Sequence, residues 1–282
     1  MDKLPDFELH RSDSERVPAS PPAHSLGVWV AGALFVVAAA GAAYVVFGVG
    51  PPPVAPQAVS APVVAPQPSP HALGGQPERI TVPALDESDP LVRTLALALS
   101  KKPAVVAWLA TEGLIRNFAE VVANIADGRT PARLLAPLHP VGRFRVIERE
   151  GHLYVDPRSY DRYVDFADAV GGVDPPGAAR LYATLKPRIE EAYHELGGSP
   201  QSFDQPLEEA IVTLLDTPVV EGRGRLRPKG IGYAYFDERL ENLTNAQKQL
   251  LRMGPRNTQI IQKKLRAIGL ALGISSARLS AR

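Results

Sequence analysis

The chain has 282 residues, a formal net charge of +1 and no cysteine. The absence of cysteine excludes disulfide bonds, thiolate catalysis, and zinc or iron–sulfur clusters held by cysteine. A chain without thiols also suits an oxidising compartment, in which a free thiol would react.

Residues 26–50 form an uninterrupted apolar segment, LGVWVAGALFVVAAAGAAYVVFGVG, without a charged side chain. A helix needs about 20 apolar residues to cross a hydrocarbon layer of roughly 30 Å. Trp29 lies near one end and Tyr44 and Phe47 near the other, where aromatic rings favour the membrane interface. The segment therefore predicts one transmembrane helix in membrane lipid, preceded by a short polar tail of residues 1–25.

A cleaved signal peptide is the alternative interpretation of this segment. Such a peptide has a basic start and an apolar run of about 7–15 residues. Residues 1–25 instead carry a net charge of −2, and the apolar run is longer, so we expect an anchor. Basic residues precede the segment and none occurs between residues 50 and 79. The positive-inside rule therefore predicts a cytoplasmic N-terminus and a C-terminal domain outside the cytoplasm.

Residues 51–78 are dense in proline and almost free of charge. Chains of this composition favour polyproline II at about 3.1 Å per residue, so we predict an extended linker that spans on the order of 80 Å. A globular domain is then expected over residues 79–273, followed by a disordered basic tail at 274–282.

Helix signals dominate the predicted domain. Asp89 and Pro90 supply an N-cap and a first-turn proline for the helix LVRTLALAL. Three further helices are predicted, over residues 114–125, 159–170 and 180–196. Pro187 is expected to bend or restart the last of them.

Two antiparallel hairpins are predicted between the helices. FRVIERE and HLYVD flank Glu150-Gly151, and LRPKGIGYAYF turns at Pro228-Lys229-Gly230. The predicted fold class is therefore mainly α with a small antiparallel β element (α+β), preceded by one transmembrane helix and a proline-rich linker.

The C-terminal end has the clearest helix boundaries. Thr244 and Gln247 form a capping box, which begins a short helix. Gly254-Pro255 separates this helix from a second one. The second helix has an apolar stripe made of Ile261, Leu265, Ile268 and Leu272.

The charges are distributed unevenly along the chain. Residues 242–282 contain eight basic residues and no acidic one, whereas residues 79–241 have a net charge of −4. Three interpretations stay open: a solvated helical face with cations near helix C-termini, attraction to lipid headgroups or acidic wall polymers, and nucleic-acid binding. The candidate contacts for an anionic ligand are Arg256, Lys263 and Lys264.

The segment LLRMGPRNTQIIQKKLRAIG is similar to a helix-hairpin-helix motif, in which a glycine-rich turn offers backbone amides to phosphate. Membrane-tethered DNA-uptake receptors carry this motif outside the inner membrane. Their turn has two glycines around an apolar residue, whereas Gly254 is followed here by Pro255, Arg256 and Asn257. Without the second glycine we expect no amide cradle, and we do not expect nucleic acid as the partner.

Arg223, Arg225 and Arg227 form a second basic cluster. In an extended segment these alternate residues point to one face, and their guanidinium groups can hold an anionic ligand through paired hydrogen bonds. Gly222 and Gly224 are equally consistent with a solvated loop, so both interpretations stay open.

No catalytic, cofactor-binding or metal-binding residue is predicted. Nucleophile-elbow, Walker, Rossmann and HExxH motifs are absent. Glu191 and His194 give one ExxH spacing, but di-iron bundles need two copies with further carboxylates, and the helical projection places these side chains toward solvent. Glycoside cleavage needs only two carboxylates. An enzyme that acts on the cell wall through unidentified paired carboxylates therefore remains an alternative.

Five segments together are similar to the bacterial envelope family called domain of unknown function 3014: LDESDP at 85–90, and residues 108–131, 144–163, 180–197 and 246–257. The resemblance implies a bacterial protein with an N-terminal anchor, and it implies no activity or ligand. Together with the predicted orientation, we expect the anchor to lie in the bacterial inner membrane. We therefore expect a non-enzymatic interaction or scaffolding module in the periplasm. We expect its partner to be an envelope protein or an anionic wall polymer, with nucleic-acid binding by the C-terminal helix pair as an alternative.

Overall fold

The computed structural model describes residues 72–280, with the exception of residues 101, 132, 139, 141 and 199–201. The predicted anchor at residues 26–50 and most of the predicted linker lie outside this part of the chain. Within the described part, no helix is both long and apolar enough to cross a bilayer.

The described residues form a mainly helical domain with one small sheet. The helices are α1 (Asp89–Leu99), α2 (Pro103–Leu109), α3 (Leu114–Ala126), α4 (Arg158–Asp161), α5 (Val164–Gly171), α6 (Pro175–Glu195), α7 (Asp204–Leu215), α8 (Glu238–Glu241), α9 (Asn245–Leu251), α10 (Pro255–Leu272) and α11 (Ser276–Leu279). The strands are β1 (Val146–Arg149), β2 (His152–Val155), β3 (Arg225–Lys229) and β4 (Gly232–Tyr235). Short 3-10 turns occupy Leu85–Glu87 and Arg133–Leu138. The predicted α+β class is therefore confirmed for these residues.

Helix α10 lies at the centre of the helical core and packs against α5, α6 and α7. Its apolar residues recur at helical spacing and so form one stripe along the helix. The predicted stripe is confirmed, because all four of its residues are fully buried: Ile261, Leu265, Ile268 and Leu272. Helix α3 also buries its apolar face, against α6 and α7.

Asp89 has a different role from the predicted one. The sequence predicts it as the N-cap of α1, but it is the first residue inside that helix. Its carboxylate instead accepts hydrogen bonds from the backbone N–H groups of Gly113 and Leu114, each at 2.8 Å. The first N–H groups of a helix have no partner within the helix. Asp89 therefore caps α3, an interaction that joins two helices of the core.

Two predicted helices have different boundaries in the structure. Helix α6 begins at Pro175, where the Asp174 carboxylate accepts from the N–H of Gly177 at 2.9 Å, and it continues through Pro187. The proline ring is exposed, so it does not disturb the buried face. The helix predicted from residue 159 is divided into α4 and α5, because Tyr163 leaves the helical conformation with φ −107° and ψ 1°.

Both predicted hairpins form, and they join into one antiparallel sheet with the order β1-β2-β3-β4. Glu150 and Gly151 connect β1 to β2 with φ values of 51° and 71°, as in the two-residue turns that suit strand twist. The second turn lies at Gly230 and Ile231, because Pro228 and Lys229 are paired within β3. The pairing of β2 with β3, which unites the hairpins, is not predicted from the sequence.

Residues 73–78, predicted as the end of the linker, lie against the domain, and we call them the strap. Leu73 is buried, and its N–H donates to the Asp204 carboxylate at 3.0 Å. The N–H of Gly74 donates to the carbonyl of Leu272, at the C-terminal end of α10, at 2.9 Å. Gly74 has φ +124°, and a Cβ there would lie 3.0 Å from the side chain of Ala183. Glycine therefore permits the close approach of the strap to α6.

The carboxylate of Asp204 is itself held in place by α6. Its second oxygen accepts from the Tyr182 hydroxyl at 2.6 Å, and Lys186 forms an ion pair with it. Burial first, and the neighbouring Asp204 charge second, raise the pKa of Tyr182, so the phenol stays protonated and donates. The strap is thus fixed by a polar network of which Asp204 is the common acceptor.

Residues 276–279 also belong to the folded domain, although a disordered tail is predicted from residue 274. They form α11, whose Leu279 is buried and lies against Gly269 of α10. Arg278 pairs with Glu208 of α7 at 2.7 Å. The tail is therefore ordered at least to this helix.

We expect Asp89→Ala to lower the free energy of unfolding by about 1–3 kcal/mol, because two backbone N–H groups at the start of α3 lose a charged acceptor. Urea denaturation monitored by circular dichroism measures this change. Asp165→Ala is the control, since Asp165 is exposed on α5 and has no side-chain partner among the described residues. Equal stability of the two variants would contradict the cross-helix cap.

Candidate functional site

The two faces of the sheet differ in chemistry, because side chains alternate along each strand. One face packs on an apolar cluster that contains Val155, Leu226, Tyr235 and, from α9, Leu251. The opposite face is turned toward solvent, and we call it the basic face. Its basic residues are Arg145, Arg149, His152, Arg223, Arg225, Arg227 and Lys229.

The strand register brings basic residues from distant parts of the sequence onto this face. Arg149 on β1 lies opposite His152 on β2, and Arg225 on β3 lies opposite Tyr154, also on β2. Arg227 follows two residues after Arg225 and therefore points to the same side. The predicted common face of the arginine cluster is thus seen for the two arginines within β3.

Arg145 and Arg223 extend the basic face beyond the ends of the strands. The carbonyl of Arg145 accepts from the N–H of Asp156, and the carbonyl of Gly224 accepts from the N–H of Val155, each at 3.0 Å. These bonds continue the ladder, so the alternation of the strands holds up to these two arginines. The alternation of side chains in FRVIERE indicates that Arg145 and Arg149 lie on one face of β1. Their proximity to β3 depends on the pairing of β2 with β3, which the sequence does not predict.

Arg225 has two side-chain contacts on this face. It is half-buried, and its Nη2 lies 3.0 Å from Nδ1 of His152. Its Cζ lies 3.8 Å from the centroid of the Phe236 ring, close enough for a cation–π interaction. These two contacts hold the guanidinium group in one orientation without neutralising its charge.

The other arginines of the basic face are exposed and carry little compensating charge. In the part of the chain that the structure describes, Arg149, Arg223 and Arg227 have no ion pair with a carboxylate. Asp156 lies at one end of the face, where its carboxylate accepts from the N–H of Arg158 at 3.0 Å. Lys229, at the other end, is paired with Glu241 at 2.8 Å. The middle of the face is therefore positively charged.

Glu241 closes the β4 edge of the sheet. Its carboxylate binds Lys229 and also accepts from the backbone N–H of Tyr235 at 3.1 Å. Burial acts to raise the pKa of Glu241, but the hydrogen bonds from Lys229 and Tyr235 outweigh it and lower that pKa below its ordinary value. Glu241 is therefore ionised at neutral pH and neutralises Lys229, not the arginines.

The candidate contacts on α10 are separate from the basic face. Arg256 lies 3.6 Å from the Asp168 carboxylate, and Lys264 donates to the carbonyl of Val173. Lys263 is exposed. Two of these three side chains thus have partners within the fold.

The turn between α9 and α10 is covered by protein. A Cβ on Gly254 would lie 2.4 Å from the ring of Tyr160, and the Asn257 side chain donates to the carbonyls of Tyr160 and Met253. Pro255 has no N–H to offer. The geometry of this turn therefore gives no argument for the amide cradle of a helix-hairpin-helix motif.

The predicted ExxH residues lie at a polar surface. His194 is exposed, and Glu191 pairs with Arg188 at 2.7 Å. Glu190 faces the neighbouring helix instead, where it accepts from the N–H of Phe203 at 2.9 Å, at the start of α7. Among the described residues, no group of three or more His, Asp or Glu side chains is placed to hold a metal ion.

A shallow polar pocket of about 370 Å³ lies beside α1 and α3. Four of its five charged side chains pair with one another or with the backbone: Arg116 binds Asp86 at 2.8 Å, and Arg93 contacts Asp89 and donates to the carbonyls of Leu109 and Thr111, each at 2.7 Å. The fifth, Glu112, is exposed. The hydrogen bonds that Arg116 donates to the carboxylates of Glu195 and Asp86 raise the pKa of Arg116. These ion pairs and hydrogen bonds join neighbouring helices, so we interpret the pocket as part of a packing contact and not as a binding site.

A family model described as "Protein of unknown function (DUF3014)" matches residues 114–269, more than half of the chain. The chain belongs to this DUF3014 family. The DUF3014 match begins with α3, ends within α10 and includes the whole sheet with every arginine of the basic face. Comparisons with curated proteins and with solved structures gave no match.

Replacement of Glu241 tests the edge of the basic face. The pKa of Glu241 is lower in the folded protein, so its contribution to stability is present at neutral pH and is lost as the pH falls through this lowered value. We expect Glu241→Gln to lower the free energy of unfolding at pH 7 by about 1 kcal/mol and to weaken its dependence on pH. Urea titrations between pH 7 and pH 3 measure both effects.

Glu238→Gln is the matched control for that prediction, because Glu238 is an exposed carboxylate on the same short helix. It removes the same charge and leaves the contacts of Lys229 and Tyr235 intact. If the two variants had the same pH dependence, the assigned role of Glu241 would be wrong.

Proposed function

We propose that this protein is a non-enzymatic module of the bacterial envelope, tethered to the inner membrane, that binds an anionic partner polymer through the basic face. The observation that carries the proposal is the excess of arginines over carboxylates on one exposed sheet surface. In this proposal the predicted anchor at residues 26–50 holds the protein at the membrane. Residues 51–72, part of the predicted extended linker, allow the domain to bind at a distance from the membrane.

The basic face has no evident purpose in folding. Like charges at neighbouring positions of a sheet destabilise it, and exposed arginines add little to a core. Arg223, Arg225 and Arg227 repel one another, and a polyanion relieves that repulsion when it binds. Release of condensed counterions from such a polymer adds to the affinity. The charge pattern therefore supports binding as the role of this surface.

The contacts at the two ends of α10 support binding by the sheet at a distance from the predicted membrane anchor. The strap, which continues from the linker, is bonded at the C-terminal end of α10 through Leu272. The sheet cluster meets the N-terminal end, where Tyr160 covers Gly254. An α-helix of 18 residues is about 27 Å long. The tether and the sheet are thus held at opposite ends of the core, which directs the sheet away from the attachment point.

The two alternatives have less support. A wall-acting enzyme needs paired carboxylates in a pocket. In this pocket Asp86 pairs with Arg116, and Asp89 pairs with Arg93 and caps α3, so Glu112 has no second free carboxylate beside it. Nucleic-acid binding by the C-terminal helix pair needs an open turn, and Tyr160 covers this one. Turnover of a wall or lipid substrate by the purified chain would overturn the proposal.

The binding surface is tested with two triple variants that remove equal charge from different places. The first acts on the basic face: Arg149→Gln, Arg223→Gln and Arg227→Gln. The matched control acts on α10: Arg256→Gln, Lys263→Gln and Lys264→Gln. The probes are poly-L-glutamate and poly(glycerol phosphate), and the full chain is kept in neutral detergent.

We expect the sheet variant to bind the better of the two probes at least about tenfold more weakly, with a smaller salt dependence, because it loses direct charge contacts. The α10 variant is expected to bind like the unchanged protein. Thermal unfolding by circular dichroism checks that both variants fold. The proposal fails if neither probe binds, or if both variants lose affinity equally.

The location is tested with a reporter enzyme that is active only outside the cytoplasm, fused after Arg282. Activity is expected, because the positive-inside rule places the N-terminal tail in the cytoplasm. The same chain fused to a reporter that is active only in the cytoplasm is the control. A signal from the cytoplasmic reporter alone would reverse the orientation and remove wall polymers as partners.

A further inference from the structure

We propose that the exposed edge of β1 binds an extended, acidic polypeptide segment of a partner protein, which joins the sheet as an additional strand. This inference rests on the proposed function, because it identifies the anionic partner polymer as a polypeptide and names its binding position. It follows from the unpaired backbone of β1, from the difference between the two edges of the sheet, and from the side chains that an added strand would meet.

β1 lies at one edge of the sheet, next to β2. The carbonyl of Arg145 accepts a hydrogen bond from the residue that follows β2. Hydrogen-bonded positions alternate along an antiparallel pair, so Ile147 and Arg149 are also bonded to β2. The N–H and C=O groups of Val146 and Glu148 therefore point away from the sheet. Among the described residues, no hydrogen bond from another segment reaches these outward groups.

The opposite edge of the sheet is closed by the protein itself. Phe236 donates its N–H to the carbonyl of Arg225, so the N–H of Tyr235, one position earlier on β4, points outward. Glu241 of α8 accepts from that N–H at 3.1 Å, and α8 packs against β4. In the described part of the chain, β2 is the element that packs extensively against β1. An open edge of this kind can pair with another chain, so β1 is where the sheet can accept a strand.

The backbone of this edge distinguishes a polypeptide from other anionic polymers. An added strand is held by main-chain hydrogen bonds, whereas its alternate side chains supply the specificity. Val146 and Glu148 each offer an outward donor and an outward acceptor, and the residue opposite each of them in an antiparallel strand completes both bonds. A polymer of phosphates or of acidic sugars does not repeat backbone amides at this spacing.

The side chains of β1 favour an acidic partner strand. Arg145, Ile147 and Arg149 alternate along one face, and residues of an added strand would lie directly opposite them. Both arginines are exposed, and among the described residues neither forms an ion pair with a carboxylate. Opposite charges at facing positions stabilise a sheet. The pattern acidic–x–apolar–x–acidic therefore complements β1.

Charge also argues against a second copy of the chain as the occupant. If two copies paired through β1 with Ile147 opposite its counterpart, Arg145 of each copy would face Arg149 of the other. Like charges at facing positions destabilise a sheet.

The other segments of this chain are also poor occupants. Residues 51–72 contain no acidic residue and many prolines, which lack the N–H that a ladder needs. Residues 1–25 do contain acidic residues, but they are predicted to lie on the other side of the membrane. We therefore assign the edge to a segment of another protein.

The test uses the fluorescent peptide Thr-Glu-Thr-Val-Thr-Glu-Thr and the full chain in neutral detergent. In the proposed pairing the valine lies opposite Ile147, so the N–H groups of the threonines on either side of the valine face β1. One competitor is N-methylated at these two threonines, and the control is N-methylated at the valine and the second glutamate, whose nitrogen atoms face away. Both keep the charge of the peptide. We expect the first to compete at least about tenfold more weakly than the control, because it loses both donors to β1.

A variant of β1 tests the same edge from the side of the protein. Glu148→Pro removes an N–H that points outward, and proline is tolerated at such a position of an edge strand. Glu148→Thr is the matched control, since it removes the same charge and keeps the N–H. We expect the proline variant alone to bind the peptide about tenfold more weakly. Thermal unfolding by circular dichroism checks that both variants fold.

The outcomes distinguish this inference from the proposed function. If the two methylated peptides compete equally, or if Glu148→Pro binds like Glu148→Thr, the partner is held by charge alone and the inference is wrong. If poly(glycerol phosphate) binds and the peptide does not, the inference again fails while the proposed function stands. A dimer of the unchanged chain that Glu148→Pro dissociates, measured by analytical ultracentrifugation, would make the occupant a second copy and overturn the inference. If the peptide, poly-L-glutamate and poly(glycerol phosphate) all fail to bind, the proposed function fails as well.

Discussion

The buried stripe of α10 is the contact on which the rest of the domain depends. Three helices, α5, α6 and α7, cover this one helix. Its first turn touches the sheet layer through Gly254, where only glycine leaves room for the ring of Tyr160. Its last turn accepts the strap through the carbonyl of Leu272. The strap and the sheet layer therefore contact opposite ends of the same helix.

The fold offsets part of the charge imbalance along the sequence, whereas the arginines of the basic face have no ion pair with a carboxylate among the described residues. The basic C-terminal segment meets acidic residues of earlier helices, as when Arg256 approaches Asp168 and Arg278 binds Glu208. Exposed pairs of this kind add little stability, but they neutralise the surface around them. On the sheet, by contrast, the arginines of β1 and β3 are brought together across a strand that carries His152 and Tyr154. Folding therefore concentrates positive potential over this face of the sheet, and the proposed binding depends on that potential.

Elements that are encoded by neighbouring residues could be predicted from the sequence. The capping box of Thr244, the apolar stripe of α10 and the Glu150-Gly151 turn are local signals, and each is found in the structure. Interactions between distant segments could not be predicted. Asp89 caps a helix that begins 25 residues later, and β2 pairs with a strand some 70 residues away, because tertiary packing selects these partners. The candidate site shows the same division: the arginines of β3 were predictable as a cluster, whereas their meeting with Arg149 required the register.

The basic face combines one fixed cation with several adjustable ones. Arg225 is held between His152 and Phe236, so its side chain loses little rotamer freedom when a ligand binds. Arg149, Arg223 and Arg227 are exposed and can follow a polymer whose own chain is flexible. Each adjustable contact is weak, because both side chain and polymer become ordered when it forms. If a polymer binds as proposed, affinity therefore arises from the number of contacts along one chain and not from tight binding by any single arginine.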